Sequence, residues 1–150
     1  MRMSDRSDRA VQAFSGGLNC AQAVATAFAG DYGMDEAVVR KFACGFGGGL
    51  SHTGRTCGAV SGAVLVLGLA RGTAVPGDRE GKERCYALVR EFLRRFGDRH
   101  GSVDCTALVG YDLSDPRGLE AARKAGVFST RCTLYVRDAV EILEDILKDS

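Results

Sequence analysis

The sequence predicts an all-α fold, a single compact bundle of about six or seven helices formed by residues 1–150 as one domain. Three observations point that way. Apolar residues recur at helical spacing along nearly the whole chain, and no stretch alternates apolar and polar residues between hairpin turns. The apolar runs open on capping residues (Asn19, Asp35, Asp78, Asp115) and stop at glycine (Gly16, Gly45, Gly101, Gly126). A chain of 150 residues can also bury about two-thirds of its unfolded surface, enough for a core without staples.

The first helix is expected over Asp5 to Ser15, with Ala10, Val11 and Phe14 on one face and Gly16-Gly17 as its stop. Asn19 caps the second, with Gln22 as capping-box partner, so Cys20 takes the first helical position of a segment reaching Ala29. Asp35 caps a third helix through Ala43, which Gly45 and Gly47 to Gly49 end. A glycine-rich loop to Thr56 precedes a central apolar helix that Thr56 caps and Cys57 opens. There Gly58, Ser61 and Gly62 admit a neighbouring backbone, while Leu65, Val66 and Leu69 supply bulk. Gly72 to Gly77 is a break, and Asp78 starts a long helix to His100 with Cys85, Leu88, Val89, Phe92, Leu93 and Phe96 as its apolar stripe. Its Glu80–Arg84 and Glu91–Arg95 pairs mark a solvated face. Ser102 or Asp104 caps a short helix carrying Cys105 and Leu108, and Asp115-Pro116 begins another that ends at Gly126. Ser129 or Thr130 caps the last helix, Cys132 to Leu147. Its apolar face includes Val136, Val140, Leu143 and Leu147, and covers the core or forms the seam of a homodimer.

Composition narrows the function. A net charge of +1 with 26% charged residues gives no drive toward phosphate backbones, so nucleic acid is not expected as a partner. The longest uncharged apolar segment, Cys57 to Ala70, falls short of the ~20 residues of a spanning helix, so membrane insertion is not expected either. Met1 to Arg9 is charged and no secretory apolar run follows it, which predicts the reducing cytoplasm. Six cysteines in that compartment suggest reversible thiol chemistry or metal ligation over structural disulfides.

Cys20, Cys57, Cys105 and Cys132 are each placed near a predicted helix start, where unpartnered N–H groups favour a thiolate. None forms a C-x-x-C pair, so any convergence must come from tertiary packing. Gathered together, they could pair as disulfides, hold zinc, or ligate an iron–sulfur cluster; as isolated residues they would simply pack. His52 and Arg55 flank the glycine run before Cys57 and are candidates for holding an anion or depressing the Cys57 pKa. The run follows no strand and lacks the phosphate-loop lysine, Ser61 lacks a nucleophile elbow, and His100 suits a helix C-terminus.

Phe46-Gly47-Gly48-Gly49, then Cys57-Gly58-Ala59-Val60-Ser61-Gly62, with Cys20 upstream and Cys105 and Cys132 downstream, resembles the redox-active protein family named for its cysteine pattern, C_GCAxxG_C_C. The likeness runs from about Gly17 to the last helix and takes in Leu108 to Gly118, with the run Gly110 to Pro116 inside it. The resemblance implies that Cys20, Cys57, Cys105 and Cys132 are the site, and a redox partner or transporter-associated protein as neighbour; it gives no role to Cys85, which fits packing, or to Cys44, whose place just before the glycine run leaves it open as a resolving partner. On this reading Cys57, beside Arg55, is the low-pKa attacking thiol of a thiol–disulfide exchange, and Cys20, Cys105 or Cys132 resolves it. A non-catalytic metal or iron–sulfur module is the alternative, and an interaction protein with packing cysteines the second.

Overall fold

The computed structural model describes residues 4–150; Met1 to Met3, the start of the charged N-terminal stretch, lie outside the described residues. Among these the fold is all-α: α1 (Asp5–Ser15), α2 (Cys20–Ala29), α3 (Glu36–Ala43), α4 (Gly58–Arg71), α5 (Arg79–His100), α6 (Cys105–Val109), α7 (Pro116–Ala125) and α8 (Thr133–Asp149). The five-residue α6, held between Asp104 and Gly110, takes the number past the expected six or seven.

Local chemistry sets most boundaries as expected. Asn19 Oδ1 accepts from the Gln22 N–H and Gln22 Oε1 from the Asn19 N–H, both at 2.9 Å, so α2 starts at Cys20. Asp78 accepts from the Gly81 N–H, and Asp115 from the Arg117 N–H with Pro116 at the first position. Three starts differ. Thr56 does not cap α4; it forms an antiparallel bridge with Asp104, and Cys57 takes the cap position while its own N–H reaches Val103 O at 2.8 Å. Ser102 accepts from the Asp104 N–H, while the Asp104 side chain caps nothing. Ser129 and Thr130 do not cap the last helix: both hydroxyls donate to the Gly126 carbonyl, and helical structure already begins at Val127. Phe128–Cys132 is a π-turn leading into α8, so Cys132 stands just before α8 and a turn after helical structure begins.

The centre is the pairing of α2 with α4, two small-residue helices whose backbones meet. A Cβ at Gly62 would stand 2.7 Å from the Ala21 carbonyl oxygen and 3.1 Å from Ala21 Cα, atoms that cannot rotate away. Gly62→Ala is therefore expected to cost about 1–3 kcal/mol as overpacking, despite the better helix propensity of alanine. A urea unfolding midpoint equal to that of the parent protein would count against this close approach. Around the pair, α5 buries Phe92 and Phe96, and α8 buries Val136, Val140 and Leu143. With Leu147 also packed against the core, that face of α8 is used inside the chain and is not a free dimer seam. Leu69, expected to add bulk to the α4 core face, is 41% exposed, and Leu67 is buried in its place.

No helix among the described residues is long and apolar enough to cross a membrane.

Candidate functional site

Cys20, Cys57, Cys105 and Cys132, separated by up to 112 residues of sequence, line one cavity of about 210 Å³. Phe14 from α1, Leu108 and Val109 from α6, Leu119 from α7, and Phe128 and Tyr135 beside Cys132 make its walls mainly apolar. The Tyr135 hydroxyl donates to Leu108 O at 2.8 Å, which ties α8 to α6 and keeps the phenol buried.

Each sulfur is positioned by a different device. Cys20 opens α2, and its Sγ occupies the space a Cβ at Gly58 would need, so it rests on the first residue after Cys57. Glycine at 58 is required by that sulfur and by the Phe46 carbonyl, 2.9 Å from the same point. Cys57 and Cys105 enter their helices from one junction: Thr56 pairs with Asp104, the Cys57 N–H reaches Val103 O, and the Cys105 N–H reaches Arg55 O at 2.6 Å. Cys105 also packs on Gly49, where any Cβ would stand 2.5 Å from the Cys105 Cβ.

Gly49 belongs to an unusual turn. Gly48, Gly49, Leu50, Ser51 and His52 all have φ between 58° and 69°, a left-handed turn closed by the Ser51 N–H on Gly47 O at 2.8 Å. Its three non-glycine members cost roughly 1–2 kcal/mol each, strain of a kind that collects at functional sites. The turn folds His52 over Gly48 and delivers both to the cavity.

Burial dominates the electrostatics. Cys20 is half-buried and the other three are buried. Burial raises the Cys20 thiol, opposed by the backbone N–H groups of Gly48, Ala21, Cys20 itself and Ala59. Cys57 is pushed well above the usual thiol range by burial and then by the charge of Cys20, with the N–H groups of Val60 and Ala59 opposing. Cys105 is pushed up to about 11 by burial and by Cys20. Cys132 goes up to about 12 by burial, Cys20 and Cys105, with Arg131 opposing. The four sulfurs thus interact, and a negative charge on one discourages charge on the others.

The expectation of a low-pKa Cys57 beside Arg55 is corrected here. Two N–H groups at a helix start do not offset removal from water. The Arg55 side chain is not part of the cavity; it borders a separate open depression with Thr56, Asp104 and Thr106, because its backbone is committed on both sides, the N–H to Gly49 O and the carbonyl to Cys105. Cys132, inside the π-turn, and Cys105 receive no such N–H support. Cys44 is exposed and Cys85 half-buried on α5, and neither lines the cavity.

Sequence reasoning missed Tyr135 and Arg123, which both line the cavity. Tyr135 had a readable signal, since it follows Cys132 by three residues and so shares its helix face. Arg123 had none, because its placement depends on how α7 packs.

Among the described residues, no three His, Cys, Asp or Glu side chains are arranged to hold one metal ion. A family model described as "Putative redox-active protein (C_GCAxxG_C_C)" matches residues 18–146. No curated protein and no solved structure gives a match.

Proposed function

Taking as premise that the chain belongs to the C_GCAxxG_C_C family, whose model spans residues 18–146, we propose that it performs two-electron thiol–disulfide exchange in the four-cysteine cavity. Cys20 is the attacking sulfur and Cys57 its resolving partner. Cys105 and Cys132 belong to the same set of interacting thiols. The observation that carries this reading is the seat of Cys20: its sulfur rests on Gly58, the residue after Cys57, it is the most exposed of the four, and four backbone N–H groups oppose the burial that raises its thiol.

The chemistry balances with no further group. The Cys20 thiolate bonds to one sulfur of a substrate disulfide, whose S–S bond breaks and releases a thiolate that takes up a proton. Cys57 then loses its proton, bonds to the Cys20 sulfur and releases the second substrate thiol. The substrate gains two electrons and the protein keeps a Cys20–Cys57 disulfide. A cytoplasmic dithiol returns it to the reduced form by the reverse exchange and leaves as its own disulfide, and the chain acts as one domain.

The test is to react the anaerobic reduced protein with limiting disulfide, block free thiols and map the product. A single new bond between Cys20 and Cys57 is expected; six thiols still free afterwards would leave only the packing role. A second reading has one observation in its favour. Four cysteines surround a cavity yet do not converge on one ion, which suits an iron–sulfur cluster, with its ligands spread around several metal atoms, better than a single zinc. Iron and sulfide in stoichiometric amounts, with no reducible disulfide, would replace exchange by that reading.

A further inference from the structure

We infer that the substrate is a small disulfide carrying carboxylate groups, in place of a protein disulfide; this rests on the exchange reading and specifies its substrate class. Two features of the cavity support it. The first is reach. Three of the four sulfurs are buried and the fourth is half-buried behind apolar walls, in a space of about 210 Å³. That is less than the ~300–1,000 Å³ common for drug-sized ligands. A small aliphatic disulfide enters such a space by one end, whereas a disulfide on the surface of a folded protein brings its flanking backbone with it.

The second feature is charge. The guanidinium of Arg123 on α7 lines the cavity together with His52 on the left-handed turn, and among the described residues no carboxylate lines it. Both are exposed, which places them at the mouth. Arg123 is also uncommitted: its neighbour Lys124 pairs with Glu120 at 3.8 Å, while Arg123 pairs with no carboxylate among the described residues. A carboxylate on the entering molecule finds a guanidinium able to bind it bidentately. The remainder of the molecule, a short aliphatic chain ending in sulfur, contacts Phe14, Leu119 and Phe128.

Three disulfides of similar size separate the possibilities: dithiodiglycolate (anionic), hydroxyethyl disulfide (neutral) and cystamine (cationic), with insulin as the protein disulfide. Each rate of thiol loss from the reduced protein is divided by the rate of the same disulfide with free mercaptoethanol, which removes intrinsic reactivity. The normalised anionic rate is expected to exceed the neutral one about fivefold, and the cationic rate to be the lowest. The preference should shrink as salt is added. Arg123→Glu inverts the anionic-to-cationic ratio, and Arg123→Gln brings it toward one. A ratio at or below one in the parent protein, or one indifferent to Arg123→Glu, overturns the inference. So does insulin reacting faster than all three small disulfides. Failure of every disulfide to oxidise any thiol removes the exchange reading itself, and this inference with it.

Discussion

Cys20→Ser is expected to slow opening of a small disulfide by the reduced protein at least about a hundredfold, whereas Cys57→Ser should permit the first exchange and block the second. The two variants therefore differ in product as well as rate. In Cys57→Ser the Cys20 sulfur still attacks, but no neighbouring thiol displaces the mixed disulfide. The protein accumulates with one substrate half attached at Cys20, detectable by intact mass. In Cys20→Ser the thiol left beside Gly58 is Cys57, which is buried and held protonated well above the usual thiol range. An adduct on Cys57 in the Cys20→Ser protein, formed at the parent rate, would exchange the two roles and restore the order expected from the sequence.

The assignment depends on three chain segments meeting at one sulfur. The start of α2 supplies the N–H groups of Cys20 and Ala21, the left-handed turn that of Gly48, and the first turn of α4 that of Ala59. Only glycine at position 58 leaves room for the sulfur among them. The Cys-Gly-Ala-x-x-Gly element thus has a spatial meaning. Its first glycine leaves room for the Cys20 sulfur, its alanine contributes an N–H, and its second glycine lets the α2 backbone approach.

Much of this was legible locally and some was not. Asn19 with Gln22, Asp78, and Asp115 with Pro116 act within three or four residues, so the sequence reveals those helix starts directly. Gly58 and Gly62 announced that a backbone approaches α4, without saying that it is α2. Thr56 looked like a cap because threonine caps well, but a bridge to Asp104, 48 positions away, claims its backbone. Backbone N–H groups at the helix starts act on Cys20 and Cys57 in the expected direction, but both thiols are raised because burial outweighs them, and short-range patterns do not reveal burial. Arg55 is adjacent to the site in sequence and Arg123 is not; packing reverses that order. The convergence of four cysteines was an expectation drawn from a family likeness, because no local spacing requires it.

Burial of these thiols predicts that the reduced protein loses stability between pH 9 and about pH 12. Cys105 rises from an ordinary 9.0 to about 11 and Cys132 to about 12, both raised first by burial and then by the charge of Cys20. Below pH 9 the thiols are protonated in the folded and unfolded chains alike, so their burial carries no pH dependence. Above pH 9 the unfolded chain releases protons that the folded chain retains, and the balance shifts toward unfolding until the pH passes the folded values. For Cys105 alone a shift of that size corresponds to about 3 kcal/mol. Urea midpoints measured anaerobically with reductant at pH 8.5 and 10.5 should fall steeply for the parent protein. They should fall less for a variant carrying Cys105→Ala and Cys132→Ala, whose lower starting stability does not affect the comparison of slopes. Tyr135, raised first by burial with Arg131 opposing, loses the charges of Cys132 and Cys105 in that variant, so its contribution shrinks in the same direction. Parallel slopes would mean that Cys105 and Cys132 release their protons as easily folded as unfolded, which is incompatible with thiols enclosed in an apolar cavity beside a third sulfur.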